Sequence, residues 1–160
     1  MGKEAKTNAM RILEREKVPY TAHEYAHEEG VAVDGVTVAA SMGEDPACVY
    51  KTLVTQGASK NYFVFVIPVN ATLSLKRAAQ ACGEKSVEMI PQKLLLPTTG
   101  YVHGGCSPVG MKKLFPTFID ETAQLFDTIC VSAGRVGAQA ELPPDELCRV
   151  TGAKYAQLTD

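Results

Sequence analysis

Two features of this sequence have the residue types and spacing for chemistry. Lys51 sits in Val49-Tyr50-Lys51-Thr52-Leu53-Val54, where the alternation of a strand puts Val49, Lys51 and Leu53 on one face and Tyr50, Thr52 and Val54 on the other. An ammonium that shares a face with core residues has two outcomes. Its stem lies along apolar surface with the charge at the edge in water, or it serves a concave site that brings it an anion or a carbonyl. The second feature is the run Gly104-Gly105-Cys106-Ser107-Pro108-Val109-Gly110. Gly104 and Gly105 have no side chain to keep a ligand away, so main-chain N–H groups there can hold a carbonyl or a developing oxyanion. A tight structural turn accounts for the same glycines. Their order is that of neither a phosphate-binding P-loop nor a dinucleotide fingerprint.

Cys106 and Ser107 are candidate nucleophiles, but attack would need a base, and His103 is the histidine close to them in sequence. Small residues fitting a tight loop are the alternative. His23 and His27 stand four apart and invite a metal reading, yet the segment around them reads as extended, so the pair need not share a face, and no Cys-x-x-Cys motif accompanies it. The sequence therefore carries an expectation of no metal and no cofactor.

The elements that must position these residues follow from pattern. Thr7 or Asn8 can cap a helix with Ala9, Ile12 and Leu13 on one face, ended by Val18-Pro19. A strand over 20–25 follows, then a helix over 31–42 closed by Gly43. Residues 48–55 and 62–69 are β-rich runs around a polar, glycine-containing turn and form an antiparallel hairpin. The spacing of Leu75, Ala78, Ala79 and Cys82 predicts a helix over 73–82 that stops at Gly83. A strand over 87–90 and a short helix over 92–96 precede residues 98–110, whose glycines and proline make a loop. Strands are expected over 118–120, 128–132 and 139–142, and Pro143-Pro144-Asp145 opens a last helix that Gly152 can close. Helices and strands mix without a βαβ rhythm, so the class is α+β with a largely antiparallel sheet. No repeat or linker divides residues 1–160, which are expected to form one domain.

Composition limits the functions open to such a domain. The 160 residues are 46% hydrophobic and 21% charged, enough for a sizeable core. A net charge of -2 does not suit a protein that grips nucleic acid by bulk electrostatics, which leaves local clusters such as Lys76-Arg77 and Lys112-Lys113, each with a solvated surface as its plainer account. No apolar stretch approaches the ~20 residues of a membrane span, and the N-terminal residues lack a signal-peptide core. The five cysteines are odd in number and scattered, as in a reduced, cytoplasmic chain.

Taken in order, a series of short motifs resembles the YbaK/EbsC family of free-standing aminoacyl-tRNA deacylases, related to the editing domain inserted in bacterial prolyl-tRNA synthetases. The stations begin with His23-Glu24-Tyr25, Tyr50-Lys51-Thr52-Leu53, Leu75-Lys76-Arg77-Ala78-Ala79 and Val87-Glu88-Met89. Thr99-Gly100-Tyr101 and the run from Gly104 to Lys113 follow, then Ile119-Asp120, Ile129-Cys130-Val131-Ser132-Ala133-Gly134 and Leu142-Pro143-Pro144-Asp145-Glu146-Leu147. The resemblance implies a central mixed, barrel-like sheet flanked by helices. It also implies a trans-editing enzyme that clears mischarged tRNA, cysteine on proline tRNA above all, with prolyl-tRNA synthetase as a further partner and no metal.

By the same resemblance the thiol of the bound cysteine attacks its own ester carbonyl and leaves as a thiolactone, so no protein nucleophile is needed. Lys51 would orient the ester or the terminal ribose. Gly104 would offer main-chain contact to the aminoacyl group, and Tyr25 would shape the pocket wall, with Gly105, Ser107, Pro108 and Ser132 binding substrate. Pocket size would set specificity, within the ~1–3 kcal/mol that one methylene discriminates. Two alternatives accompany this expectation: a deacylase for another small amino acid such as alanine, using water, and a non-catalytic module that binds aminoacyl-tRNA or a nucleotide. The chain departs from the family pattern at Arg135-Val136-Gly137, where relatives commonly carry Arg-Gly after a basic residue.

Overall fold

The structure is a computed structural model that describes residues 6–28 and 31–160. Helix α1 (Asn8–Arg15) begins where the Thr7 hydroxyl accepts from the Met10 amide, and it buries Ala9, Met10 and Leu13. This is the side-chain cap that satisfies an otherwise orphaned helical N–H. Strand β1 (Thr21–Glu24) follows, then α2 (Gly35–Met42), started by Asp34 and closed by Gly43 at φ 71°. Strands β2 (Tyr50–Gly57) and β3 (Tyr62–Pro68) form the expected hairpin. Helix α3 (Leu75–Cys82) runs from a Ser74 cap to Gly83. Then come β4 (Val87–Met89), α4 (Leu95–Thr99), β5 (Thr117–Asp120), β6 (Ile129–Ser132), β7 (Ala138–Leu142), α5 (Pro144–Thr151) and β8 (Lys154–Ala156).

The strands divide into a three-stranded sheet in the order β1-β7-β6 and a five-stranded sheet in the order β4-β2-β3-β5-β8. Pairing is antiparallel except at β3/β5 and β5/β8. A parallel bridge between Val49 and Cys130 links the two sheets. The α+β class and the prevailing antiparallel pairing agree with the sequence pattern, while the sheet stays in two pieces and does not close into a barrel. Two apolar clusters hold the pieces. One joins Leu13, Tyr50, Val66, Ile119, Ile129, Leu142 and Leu147 across both sheets, α1 and α5. The other packs Phe63, Phe65 and Ile67 under Ala78 and Ala79 of α3, with Leu158. Each fully buried aliphatic or Phe side chain contributes ~1.5–3 kcal/mol, so the walls of anything built between the sheets are held from both sides.

Two local expectations change. Residues 31–34 lie outside the helix expected over 31–42, because Asp34 accepts from Thr37 N at 3.0 Å and from Thr37 Oγ1 at 2.7 Å, which fixes the helix start. Strand β8 had no counterpart in the sequence pattern. It forms because the Leu158 amide donates to Asp120 Oδ1 at 2.9 Å, laying the C-terminal segment parallel to β5. Among the described residues no helix is long and apolar enough to cross a membrane.

Candidate functional site

One edge of β2 has no strand partner, among the described residues, between the Val49–Cys130 bridge and the pairing of Thr55 with Met89. A cavity of about 290 Å³ lies along that open edge. Lys51 and Thr52 reach it from β2, Tyr25 from the end of β1, and Ser132 and Gln139 from β6 and β7, while His103, Gly104 and Cys106 come from the glycine-rich loop. Tyr25, Lys51, Gly104 and Ser132, far apart in sequence, thus line one cavity beside the bridge between the two sheets.

Lys51 is half-buried, and burial lowers its pKa from the ordinary 10.5. Desolvation disfavours the charged form, and no carboxylate offsets that cost among the described residues. Of the two outcomes open to this lysine, the fold gives it the cavity. Asp34 also lines the cavity, but both its oxygens are engaged by Thr37.

The loop is shaped by contacts that admit no side chain. Gly104 has φ 86°, and a Cβ there would lie 2.7 Å from the Ala32 Cβ. At Gly105 a Cβ would lie 2.9 Å from Arg135 backbone atoms, and the Gly105 amide already donates to the Val102 carbonyl at 3.0 Å. Farther along, Tyr101 Oη donates to the Val109 carbonyl at 2.6 Å, and the Val109 amide donates to Ser107 Oγ at 3.1 Å. Gly105, Ser107 and Pro108 do not line the β2-edge cavity: Gly105 and Ser107 fasten the loop, and Pro108 borders a separate hollow beside Ile12 and Phe115. Gly104, Tyr25 and Ser132 do line it. Ser132 Oγ accepts from the Gly134 amide at 3.2 Å, and the Tyr25 amide donates to the Gly137 carbonyl at 3.0 Å.

Neither candidate nucleophile is set up for attack. Burial pushes the Cys106 thiol up to about 12, the reverse of what a nucleophilic cysteine needs. Ser107 is 1% exposed, and its hydroxyl is occupied by the loop.

Two residues that sequence reasoning passed over stand out by their unmet bonding. Thr52 Oγ1 and Gln139 Oε1 are buried without a hydrogen-bond partner, and both residues line the cavity. A buried polar atom left without a partner costs ~1–3 kcal/mol, so an orphan that faces a cavity is a natural contact for what enters it. Thr52 adjoins Lys51 within the Tyr50-Lys51-Thr52-Leu53 motif, but no site role was expected of it. Gln139 carried no motif signal, and its role depends on the β6/β7 register, which pairs it with Ser132. The altered stretch lies close by: Val136 Cγ2 would be 3.3 Å from a Gly104 Cβ, and Arg135 reaches Glu24 at 3.4 Å.

Residues 29–150 match the family model described as aminoacyl-tRNA editing domain. The chain is 47% identical over 154 residues, covering 96% of its own length and 93% of the relative, to an Enterococcus faecalis protein named "Putative Cys-tRNA(Pro)/Cys-tRNA(Cys) deacylase EbsC". It is 25% identical over 116 residues, 72% of this chain and 73% of the relative, to "Uncharacterized protein YwhH" of Bacillus subtilis. A crystal structure described as "a putative trans-editing enzyme for prolyl tRNA synthetase" superposes with TM-score 0.80 at 21% identity, covering 98% of this chain and 99% of the other. The hypothetical protein APE2540 gives TM-score 0.83 at 21% identity, with coverage of 94% and 97%. At that identity these two structures speak to the fold alone.

Proposed function

The chain belongs to the aminoacyl-tRNA editing domain family, and from that premise we propose that it is a cytoplasmic trans-editing enzyme that deacylates mischarged tRNA, with cysteine on proline tRNA as its preferred substrate. The acting unit is the whole chain, residues 1–160. The observation that carries this reading is one cavity that holds Lys51 and Gly104 together and offers no activated protein nucleophile. Its volume of about 290 Å³ falls just below the ~300–1,000 Å³ typical of ligand pockets. That suits a small aminoacyl group with part of the terminal ribose.

In this mechanism the substrate thiol attacks its own ester carbonyl. A carbon–sulfur bond forms, the carbon–oxygen bond to the ribose breaks, and the thiol proton ends on the departing ribose oxygen. The products are a four-membered cysteine thiolactone and free tRNA. Lys51 places positive charge beside the ester as negative charge develops on its oxygens, in a site partly closed to water where such a charge acts strongly. Gly104 lets the ester approach the main chain, Tyr25 and Ser132 wall the pocket, and Thr52 and Gln139 bond the aminoacyl group. Prolyl-tRNA synthetase is the partner from which the mischarged tRNA is released.

A second reading rests on Thr52 Oγ1 and Gln139 Oε1, the two unpartnered atoms. Together they could hold a water, as deacylation of alanine, which lacks a thiol, would require. A panel of alanine, cysteine and serine on proline tRNA, with cysteine on its own tRNA, separates the two. Thiol-assisted chemistry clears the cysteine esters fastest and releases thiolactone. Alanine cleared at least as fast as cysteine supports the water route, and binding without any loss of ester leaves only a recognition module.

A further inference from the structure

Outside the cavity, the three-stranded sheet brings together three metal-ligating side chains from three strands. Cys130 on β6 pairs directly with Glu141 on β7. His23 on β1 pairs with Gln139, which places it diagonally from Glu141 on the same face. His23 Nε2, Cys130 Sγ and a Glu141 oxygen all lie within 4.8 Å of one another. His23 Nε2 and Glu141 Oε1 are 2.7 Å apart, and the second Glu141 oxygen accepts from Thr128 Oγ1 at 2.5 Å. Cys130 is 1% exposed, while the His23 and Glu141 side chains are each 27% exposed. The thiol is thus the floor of a shallow cup, with imidazole and carboxylate as its rim.

We propose that His23, Cys130 and Glu141 bind one zinc ion, with solvent water in the fourth position. The donor set is thiolate, imidazole and carboxylate, all used by zinc at ~2.0–2.3 Å. A tetrahedral ion at those distances holds its ligand atoms roughly 3.3–3.8 Å apart, which small side-chain rotations from the present arrangement supply. Charge balances as well, since one thiolate and one carboxylate neutralise the dication. On binding, the Cys130 thiol loses its proton to solvent as the sulfur–zinc bond forms. The His23 proton that now faces Glu141 moves to Nδ1, freeing the Nε2 lone pair. Thr128 already fixes the outer carboxylate oxygen, as second-shell donors do in metal sites.

Cys130 also packs with Ala39, Val49 and Val69 in a small core cluster, so what points to a metal is the convergence of its sulfur with the imidazole and the carboxylate from three strands. The spacing of His23 and His27 along the chain gave no sign of this site, because its members meet only through strand register. Ser132 and Gln139 are the next same-face residues after Cys130 and Glu141, ~7 Å along each strand, and both line the cavity. A bound ion therefore ties together the strands that carry that wall.

The test is titration of the reduced full-length chain with cobalt(II) as a spectroscopic probe, followed by zinc. One cobalt per chain is expected, with a thiolate-to-cobalt charge-transfer band and tetrahedral d–d bands that zinc abolishes. The charge-transfer band is absent in Cys130→Ser and retained in Cys48→Ser. In His23→Gln and Glu141→Gln the affinity falls at least about tenfold. Zinc raises the melting temperature of the wild type and not of Cys130→Ser. No cobalt binding, or a thiolate band that survives Cys130→Ser, overturns the proposal. Should Cys130→Ser fail to fold by circular dichroism, unchanged cobalt affinity in His23→Gln, a partly exposed position, overturns it equally.

Discussion

Gly104 and Ala32 are packed so closely that a Cβ added to the glycine would lie 2.7 Å from the alanine Cβ. The glycine also holds φ at 86°, a region that costs an L residue ~1–2 kcal/mol. Gly104→Ala therefore pays twice, through backbone strain and through displacement of the 31–34 segment, which borders the same cavity. The melting temperature should fall by a few degrees and kcat/KM for Cys-tRNA(Pro) by at least about tenfold, the proportion by which a misplaced contact of ~1.4 kcal/mol slows a reaction. Steady-state deacylation and a thermal melt on the same preparation check both.

Cys106→Ala should leave deacylation within about threefold of wild type, because a buried thiol raised to about 12 is no nucleophile at neutral pH. The cost appears in stability instead, about 1 kcal/mol for a small cavity beside Val54, Val64 and Tyr101. A thousand-fold loss of rate with a normal melt would instead reinstate a covalent acyl-enzyme, which mass spectrometry of quenched reactions would reveal.

Gln139→Leu separates binding from folding. It removes an acceptor that is buried without a partner, so the free protein should be as stable as wild type or more so. Loss of the bond to substrate should raise KM about tenfold, in line with ~1–3 kcal/mol for a hydrogen bond made in a closed site. Thr52→Val should act in the same direction. A fall in both stability and kcat with unchanged KM would assign Gln139 to the scaffold.

The pH dependence follows from Lys51. Its pKa is lowered by burial, so between the folded value and the ordinary 10.5 the unfolded chain binds more protons than the folded one, and stability contributed by this group rises with pH through that window. Activity moves the other way. Once spontaneous ester hydrolysis is subtracted, deacylation should decline as pH climbs through the lowered pKa and the ammonium is lost. Lys51→Met should abolish both trends, measured as chemical-denaturation midpoints and initial rates across the alkaline range.

How far the sequence disclosed this molecule depends on the range of the interactions involved. The β2–β3 hairpin and the helix ends at Thr7 and Gly83 are local, set by residues within a few positions, and the pattern located them closely. Strand β8 was invisible because it depends on Asp120 bonding the Leu158 amide, 38 positions away. Lys51 and Gly104 stood out through motif order, and the fold brings both to one cavity. Gln139 and Thr52 were not, since nothing in the chain marks a polar atom whose partner is missing until the fold has buried it. Ser107 shows the converse: the family resemblance implied substrate binding, and the fold turns its hydroxyl to the Val109 amide.

On the proposed function, the half-buried Lys51 ammonium at the open edge of β2, which no carboxylate offsets among the described residues, drives removal of cysteine from proline tRNA. Single-turnover deacylation of Cys-tRNA(Pro) by Lys51→Met tests it most directly, with circular dichroism and thermal melting as controls for the fold. The rate should drop by ~10²–10³, the loss typical of one electrostatic contact to a developing oxyanion, while the melting temperature holds or rises because a half-buried charge that no carboxylate offsets among the described residues has gone. A folded Lys51→Met protein that clears Cys-tRNA(Pro) at the wild-type rate would contradict it.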